Sequence, residues 1–205
     1  FQLVPAFRLG QTAGLKVLTD AVTSRPELFA ELIRLIYPPE TKEPSDDPPS
    51  DGQRIAAENA RQLLRDCRRQ PGTLPDGQID PATCLRFVDD ALALCREQDR
   101  LTKGQQTIGQ LLAHAPEGED GIWPGLPARD ILNRRDCEQM RSGFQIGIIN
   151  KRGMTSRAMD EGGTQERALA ATHPFLSATL DGIARSYDAD AQREDDQAAL
   201  NRERY

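Results

Sequence analysis

The sequence predicts an all-α fold, an irregular helical bundle of about six to eight helices that opens with an N-terminal helical hairpin. Three observations carry this. Apolar residues recur at steps of three and four through most segments between prolines and glycines. The chain is 38% hydrophobic but only 5% aromatic, with a mean hydropathy of -0.60, which suits helices with a narrow apolar stripe better than sandwich strands. Capping residues and proline or glycine stops stand where those stripes begin and end. With 205 residues the chain can build one ordinary core plus a short appendage.

Taken in order, Leu15, Leu18, Ala21 and Val22 repeat at helical spacing, and Ser24-Arg25-Pro26-Glu27 reads as a capping box that starts a second helix. Phe29, Leu32, Ile33 and Ile36 form its apolar face. Pro38-Pro39 then stops it, because proline has no amide donor and clashes with the preceding turn. Residues 1–37 are thus expected to be a helical hairpin, the end of a preceding domain. The chain begins Phe1-Gln2-Leu3-Val4-Pro5, without an initiator Met, which predicts a piece cut from a longer polypeptide. Residues 38–52 hold five prolines and no large apolar side chain, so nothing offsets the entropy of ordering them, and a disordered linker is expected. Residues 53–205 are expected to form the helical domain.

Within that domain the first helix, about 53–69, carries Ile55, Ala56, Ala60, Leu63, Leu64 and Cys67 on one side and stops at Pro71-Gly72. Pro75-Asp76-Gly77 is a turn. Asp80 caps the next helix, with Pro81 in its first position and Cys84, Leu85, Val88, Ala91, Leu92 and Cys95 inward; Gly104 is its expected stop. A short helix over 107–115 bears Ile108, Leu111 and Leu112, and the loop holding the only tryptophan, Trp123, folds back on the core. Segments 127–133 and 135–150 put Ile131, Leu132, Met140, Phe144 and Ile148 inward. Gly143 and Gly147 lie one turn apart in that last helix, each costing about 1 kcal/mol relative to alanine, so close approach to a neighbouring helix is their simplest justification. Residues 151–163 read as a loop with Gly153, Gly162 and Gly163 at turn positions, and Thr164 caps a brief helix to Leu169. A final helix over 174–203 carries Leu176, Leu180, Ile183, Tyr187 and Ala191, with Arg193 within reach of Asp190 and Asp196.

Several function classes are disfavoured. No run approaches the roughly 18 consecutive apolar residues of a membrane helix, and the N-terminus lacks the pattern of a signal peptide. Cys67, Cys84, Cys95 and Cys137 include no C-x-x-C pair and read as buried free thiols, which points to the reducing cytoplasm. With His114 and His173 far apart, there is no zinc-ligand spacing, and neither metal nor cofactor is expected. A net charge of -6 argues against a phosphate-tracking surface over the whole molecule. No P-loop or dinucleotide fingerprint surrounds Gly104 or Gly109, and the acidic stretch 188–196 lacks the alternating ligands of a calcium loop. Ser156 and His114 could be drawn into a triad with an aspartate, but no nucleophile elbow surrounds the serine. Asp89-Asp90 and Asp195-Asp196 are adjacent on helices and diverge by about 100°. Residues 107–115 and 127–133 resemble a helix-turn-helix only loosely, since the intervening loop is long and the second helix is not strongly basic.

The segment 134–157 stands apart. Arg134, Arg135, Arg141, Lys151, Arg152 and Arg157 face only Asp136 and Glu138, and Thr155 and Ser156 add hydroxyls beside a glycine-bearing loop. Guanidinium forks, hydroxyls and backbone amides bind phosphate or carboxylate. Arg135, Arg141, Lys151, Arg152, Thr155, Ser156 and Arg157 are therefore the candidate anion or nucleic-acid contacts; alternatively, these arginines bridge neighbouring acidic helices.

Local strings in the second half carry a family resemblance: residues 108–116 (Ile-Gly-Gln-Leu-Leu-Ala-His-Ala-Pro), the 121–124 turn, residues 143–147 (Gly-Phe-Gln-Ile-Gly), residues 152–157 (Arg-Gly-Met-Thr-Ser-Arg) and residues 161–167 (Glu-Gly-Gly-Thr-Gln-Glu-Arg). Over roughly 53–196 the chain resembles the C-terminal helical region of large, uncharacterised bacterial multidomain proteins, actinobacterial ones among them. It departs from that pattern where Ala170-Ala171-Thr172-His173-Pro174 shortens a helix. The resemblance implies a module of a larger protein and transfers no activity. The expected function is a non-enzymatic interaction or scaffold module whose partners are other domains of the parent or a separate protein; the alternative is nucleic-acid or phosphate-ligand binding through the basic segment. An enzyme with an unfamiliar site ranks third.

Overall fold

The structure, a computed structural model, describes residues 11–41, 48–152 and 168–202. Among these residues the fold is an all-α bundle of eight helices: α1 (Gln11–Ser24), α2 (Pro26–Ile36), α3 (Asp51–Asp66), α4 (Pro81–Glu97), α5 (Leu101–Leu112), α6 (Ala128–Leu132), α7 (Glu138–Arg152) and α8 (Pro174–Arg202). The only extended pairing among them is an isolated antiparallel bridge, Thr73 to Ile79. It closes the expected Pro75-Asp76-Gly77 turn, where Gly77 takes a φ of 89° and Asp76 Oδ1 accepts from the Gln78 amide. No helix is long and apolar enough to cross a membrane among the described residues.

The N-terminal hairpin joins the main core. Phe29 and Ile33 on α2 are fully buried, and the Phe29 ring meets Phe87 of α4 edge-on at 5.9 Å between centroids. α2 lies against both α3 and α4. Its start differs from the expected capping box: Arg25 occupies the cap position without a side-chain bond, while Ser24 Oγ donates back to the Asp20 carbonyl of α1. Serine does this readily because a carbonyl four residues back lies within its reach. The box forms instead at α3, where Ser50 and Gln53 exchange bonds, so that helix starts slightly earlier than expected. Asp80 caps α4 as expected, accepting from the Ala82 amide and the Thr83 hydroxyl. Ile55, expected inward, is 56% exposed.

The expected linker is tied at its near end. The Arg100 guanidinium donates to the Tyr37 carbonyl, the Glu40 amide donates to the Asp99 carbonyl, and Asp99 Oδ2 accepts from the amide and hydroxyl of Thr41. Glu40 also accepts from the Thr102 amide at 2.7 Å and from its hydroxyl at 3.0 Å. A carboxylate thus sits on the first-turn donors of α5, supplied from a distant part of the chain. Residues 42–47 lie outside the described residues.

Gly104 is not the stop of α4. That helix ends at Gln98 and Asp99, the latter in the left-handed region at φ 58°, and Gly104 lies inside α5 against the Cys95 side chain. α5 begins at Leu101, earlier than expected, and α7 continues through Lys151 and Arg152, past the expected start of the loop.

The most extensive helix pairing is α5 with α7. A methyl group at Gly143 would collide with the Gln106 carbonyl oxygen and lie 2.6 Å from its Cα; one at Gly109 would collide with the Met140 carbonyl oxygen and lie 2.7 Å from the Phe144 amide; one at Gly147 would lie 2.7 Å from the Ala113 methyl. Backbone therefore packs on backbone, as the spacing of Gly143 and Gly147 predicts. Ile108, Leu112, Met140 and Phe144 are fully buried around this contact. Trp123 closes it from outside, stacking on Phe144 at 5.3 Å while its indole donates to the Ala115 carbonyl at 2.8 Å. α8 covers the remaining side with Leu176 and Leu180. The Tyr187, Ala191, Asp190 and Asp196 side chains, and the Thr164 cap and the glycines at 153, 162 and 163, lie outside the described residues; Arg193 Nε donates to the Ala189 carbonyl.

Candidate functional site

The basic segment splits into groups with different roles. Arg134 pairs with Asp89 of α4 at 2.6 Å. Arg141 donates to the Leu132 and Arg134 carbonyls at 3.0 and 2.7 Å, closing the C-terminal end of α6, and its guanidinium lies 5.2 Å above the Phe175 ring. Lys151 donates to the Ala113 carbonyl at the end of α5, 3.2 Å away, and stands 5.9 Å from the Trp123 ring. Cations at helix C-termini meet orphan carbonyls and the negative end of the helix dipole, so Arg141 and Lys151 act as helix caps. Arg135 is exposed. The Arg152 side chain and all of Thr155, Ser156 and Arg157 lie outside the described residues.

α6, the second helix of the loosely drawn helix-turn-helix, has Ala128, Arg129, Ile131 and Leu132 buried. A helix of five residues sunk in the core has no face for a DNA groove. Its Arg129, 5% exposed, reaches Asp120 of the preceding loop through bonds of 2.8 and 2.9 Å. Gly104 and Gly109 are interior helix positions, and residues 188–196 are helical. Among the described residues no three His, Cys, Asp or Glu side chains converge as metal ligands would.

All four cysteines are buried and free. Burial pushes the Cys84 thiol up to about 12 and those of Cys67, Cys95 and Cys137 up to about 11, so none is a thiolate near neutrality. His173 bonds to Asp130 at 3.1 Å and to the Thr172 hydroxyl at 2.8 Å.

One concavity emerges that the spacing of motifs did not suggest. A cavity of about 280 Å³ is lined by Leu64, Arg65, Cys67 and Arg68 from the end of α3, Gln110, Leu111 and His114 from α5 and its end, and Gly147 and Asn150 from α7. Burial lowers the His114 pKa to about 4, with the positive charges of Lys151 and Arg68 adding to the effect. A neutral thiol and a neutral imidazole line it, which is the opposite of an activated thiolate-imidazolium couple. These side chains converge there through the α5–α7 packing and the placement of the α3 end beside it, not through any local motif.

No protein-family model, curated protein or solved structure matches the chain.

Proposed function

We propose that this chain is a non-enzymatic helical interaction module of a larger bacterial protein, forming part of its C-terminal region. The observation that carries the reading is the outer face of α7. Ile146 and Ile149, one turn apart, are 43% and 47% exposed. At about 100° per residue, Ile149 lies nearly opposite the Gly143 and Gly147 face that packs on α5. Phe175 and Leu126 add exposed apolar surface. Apolar side chains grouped on a helix face gain by leaving water, and a further domain of the parent or a protein partner supplies that burial. The resemblance of the second half to C-terminal regions of large bacterial proteins supports the parent, and four buried free thiols support a reducing, cytoplasmic setting.

Nucleic-acid binding through Arg135, Arg152 and Arg157 is the competing reading, weakened because Arg134, Arg141 and Lys151 are engaged inside the fold. A cysteine placed at Ile149 decides on the docking face: maleimide should label it rapidly in the purified chain and slowly in the intact parent protein, and equal labelling in both would refute the module reading. Fluorescence anisotropy with short DNA and RNA, at low and physiological salt, should show no binding. Salt-dependent binding that an Arg152→Ala/Arg157→Ala variant loses would replace the first reading with the second.

A further inference from the structure

We propose that the cavity between the end of α3 and the α5–α7 pair is a binding site for a small organic dianion, a phosphomonoester or dicarboxylate held by Arg65, Arg68 and the protonated form of His114. This goes beyond the interaction-module reading, because it needs no macromolecular partner. The lining residues include two arginines, a histidine, Gln110 and Asn150, and no Asp or Glu. Leu64, Leu111 and Gly147 form an apolar wall on which a short carbon skeleton can rest. A volume of about 280 Å³ is just below the range of roughly 300–1,000 Å³ of drug-sized ligand sites, which suits a small metabolite.

The two arginines are not neutralised within the cavity. Among the described residues Arg68 has no ion-pair partner, and Arg65 reaches only Glu58, at 3.4 Å on an exposed surface. Part of the depression of the His114 pKa comes from the positive charges of Lys151 and Arg68. A bound dianion offsets that field, favours the imidazolium and turns His114 into a third charged donor. Binding therefore takes up a proton and tightens as pH falls from neutrality to about 6, below which a phosphomonoester begins to lose its own second charge and the gain levels off. Arg65 and Arg68 also complement the C-terminal dipole of α3, a role that requires no ligand and produces no anion-dependent response.

The test is proton NMR of the two histidine side chains during titration with glycerol 3-phosphate, succinate and inorganic phosphate at constant ionic strength, with resonances assigned through a His173→Gln variant. The expected result is a saturable shift of His114 alone, its midpoint rising from about 4 toward the ordinary 6.5, with His173 unmoved. Glycerol 3-phosphate against succinate distinguishes the phosphate from the dicarboxylate, and inorganic phosphate shows what the carbon skeleton adds. Arg68→Ala or Arg68→Gln should weaken binding by about tenfold or more, while substitution of the exposed Arg96 on α4, Arg96→Ala, leaves it unchanged. The His173 shift and far-UV circular dichroism report whether each variant is folded. The proposal is overturned if no probe moves His114 saturably at millimolar concentration, if both histidines drift together, or if a folded Arg65→Ala/Arg68→Ala variant binds as tightly as the parent chain.

Discussion

Alanine at Gly143 tests the backbone contact between α5 and α7. Two effects oppose each other. Removing a glycine from a helix interior gains about 1 kcal/mol. The new methyl, however, would collide with the Gln106 carbonyl oxygen and sit 2.6 Å from the Gln106 Cα, and the obstructing atoms are backbone that no rotamer change can move. The helices must separate, loosening the fully buried Ile108, Leu112, Met140 and Phe144 and the Trp123 stack. Overpacking of this kind costs about 1–3 kcal/mol and occasionally more, and rigid backbone on both sides puts it at or above the top of that range. The net loss should be about 2 kcal/mol or more, which lowers Tm by about 4–8 °C in a chain of this size. Urea unfolding followed by circular dichroism measures it, with Gly14→Ala as the control. Gly14 is exposed on α1 with no atom near an added methyl, so its substitution should stabilise by about 0.5–1 kcal/mol. Gly143→Ala matching or exceeding the wild-type midpoint would refute direct backbone packing of α5 on α7.

Ionisation sets two further outcomes. Cys67, Cys84, Cys95 and Cys137 are buried with raised pKa values, so Ellman's reagent at mildly alkaline pH should react slowly with the folded chain and titrate all four thiols in denaturant; rapid reaction of even one in the folded state contradicts its placement. Hydrogen bonds from Thr83, Thr41 and Arg129 hold Asp80, Asp99 and Asp120 below the ordinary carboxylate range. A lowered folded pKa gives stability that is complete above the unfolded value, about 3.9, and is lost as pH falls through the folded one. His114 acts earlier in the same direction, since the unfolded imidazole protonates near 6.5 and the folded one near 4, so stability declines across that interval. Melting temperature against pH should therefore fall on the acid side, and the gap between wild type and Asp99→Asn should close at the acid end; a gap independent of pH would argue against the Thr41 tie.

The helical spacing of the apolar residues made the all-α bundle legible, and the Asp80 cap and the Gly143/Gly147 spacing were readable because each acts within one turn or one helix. The features that escaped depend on partners far away in sequence. The start of α5 has no local cap, Arg100 making no side-chain bond there, because Glu40 supplies the acceptor from the other end of the linker. Gly104 resembles a stop for the same reason: without that distant cap nothing announces a helix over Leu101–Leu112. The 134–157 cluster was visible as charge, but whether an arginine faces solvent or closes a neighbouring helix depends on where α6 and α8 dock. The cavity at His114 was invisible because Arg68 and His114 come to line one concavity only once α3 is set in place by its packing on α1 and α2.

Placing α2 in the main core makes the hairpin inseparable from the helices beyond the prolines. Phe29, Leu32, Ile33 and Ile36 bury surface that Phe87, Val88 and Ala91 share, and each large side chain so buried contributes about 1.5–3 kcal/mol. A boundary that composition draws at Pro38-Pro39 is therefore no boundary for cooperativity. Cleavage between α2 and α3 would leave two fragments still clasped through Phe29 and Phe87, and separately produced fragments should reconstitute the bundle on mixing, the hairpin serving as the missing wedge of its own core.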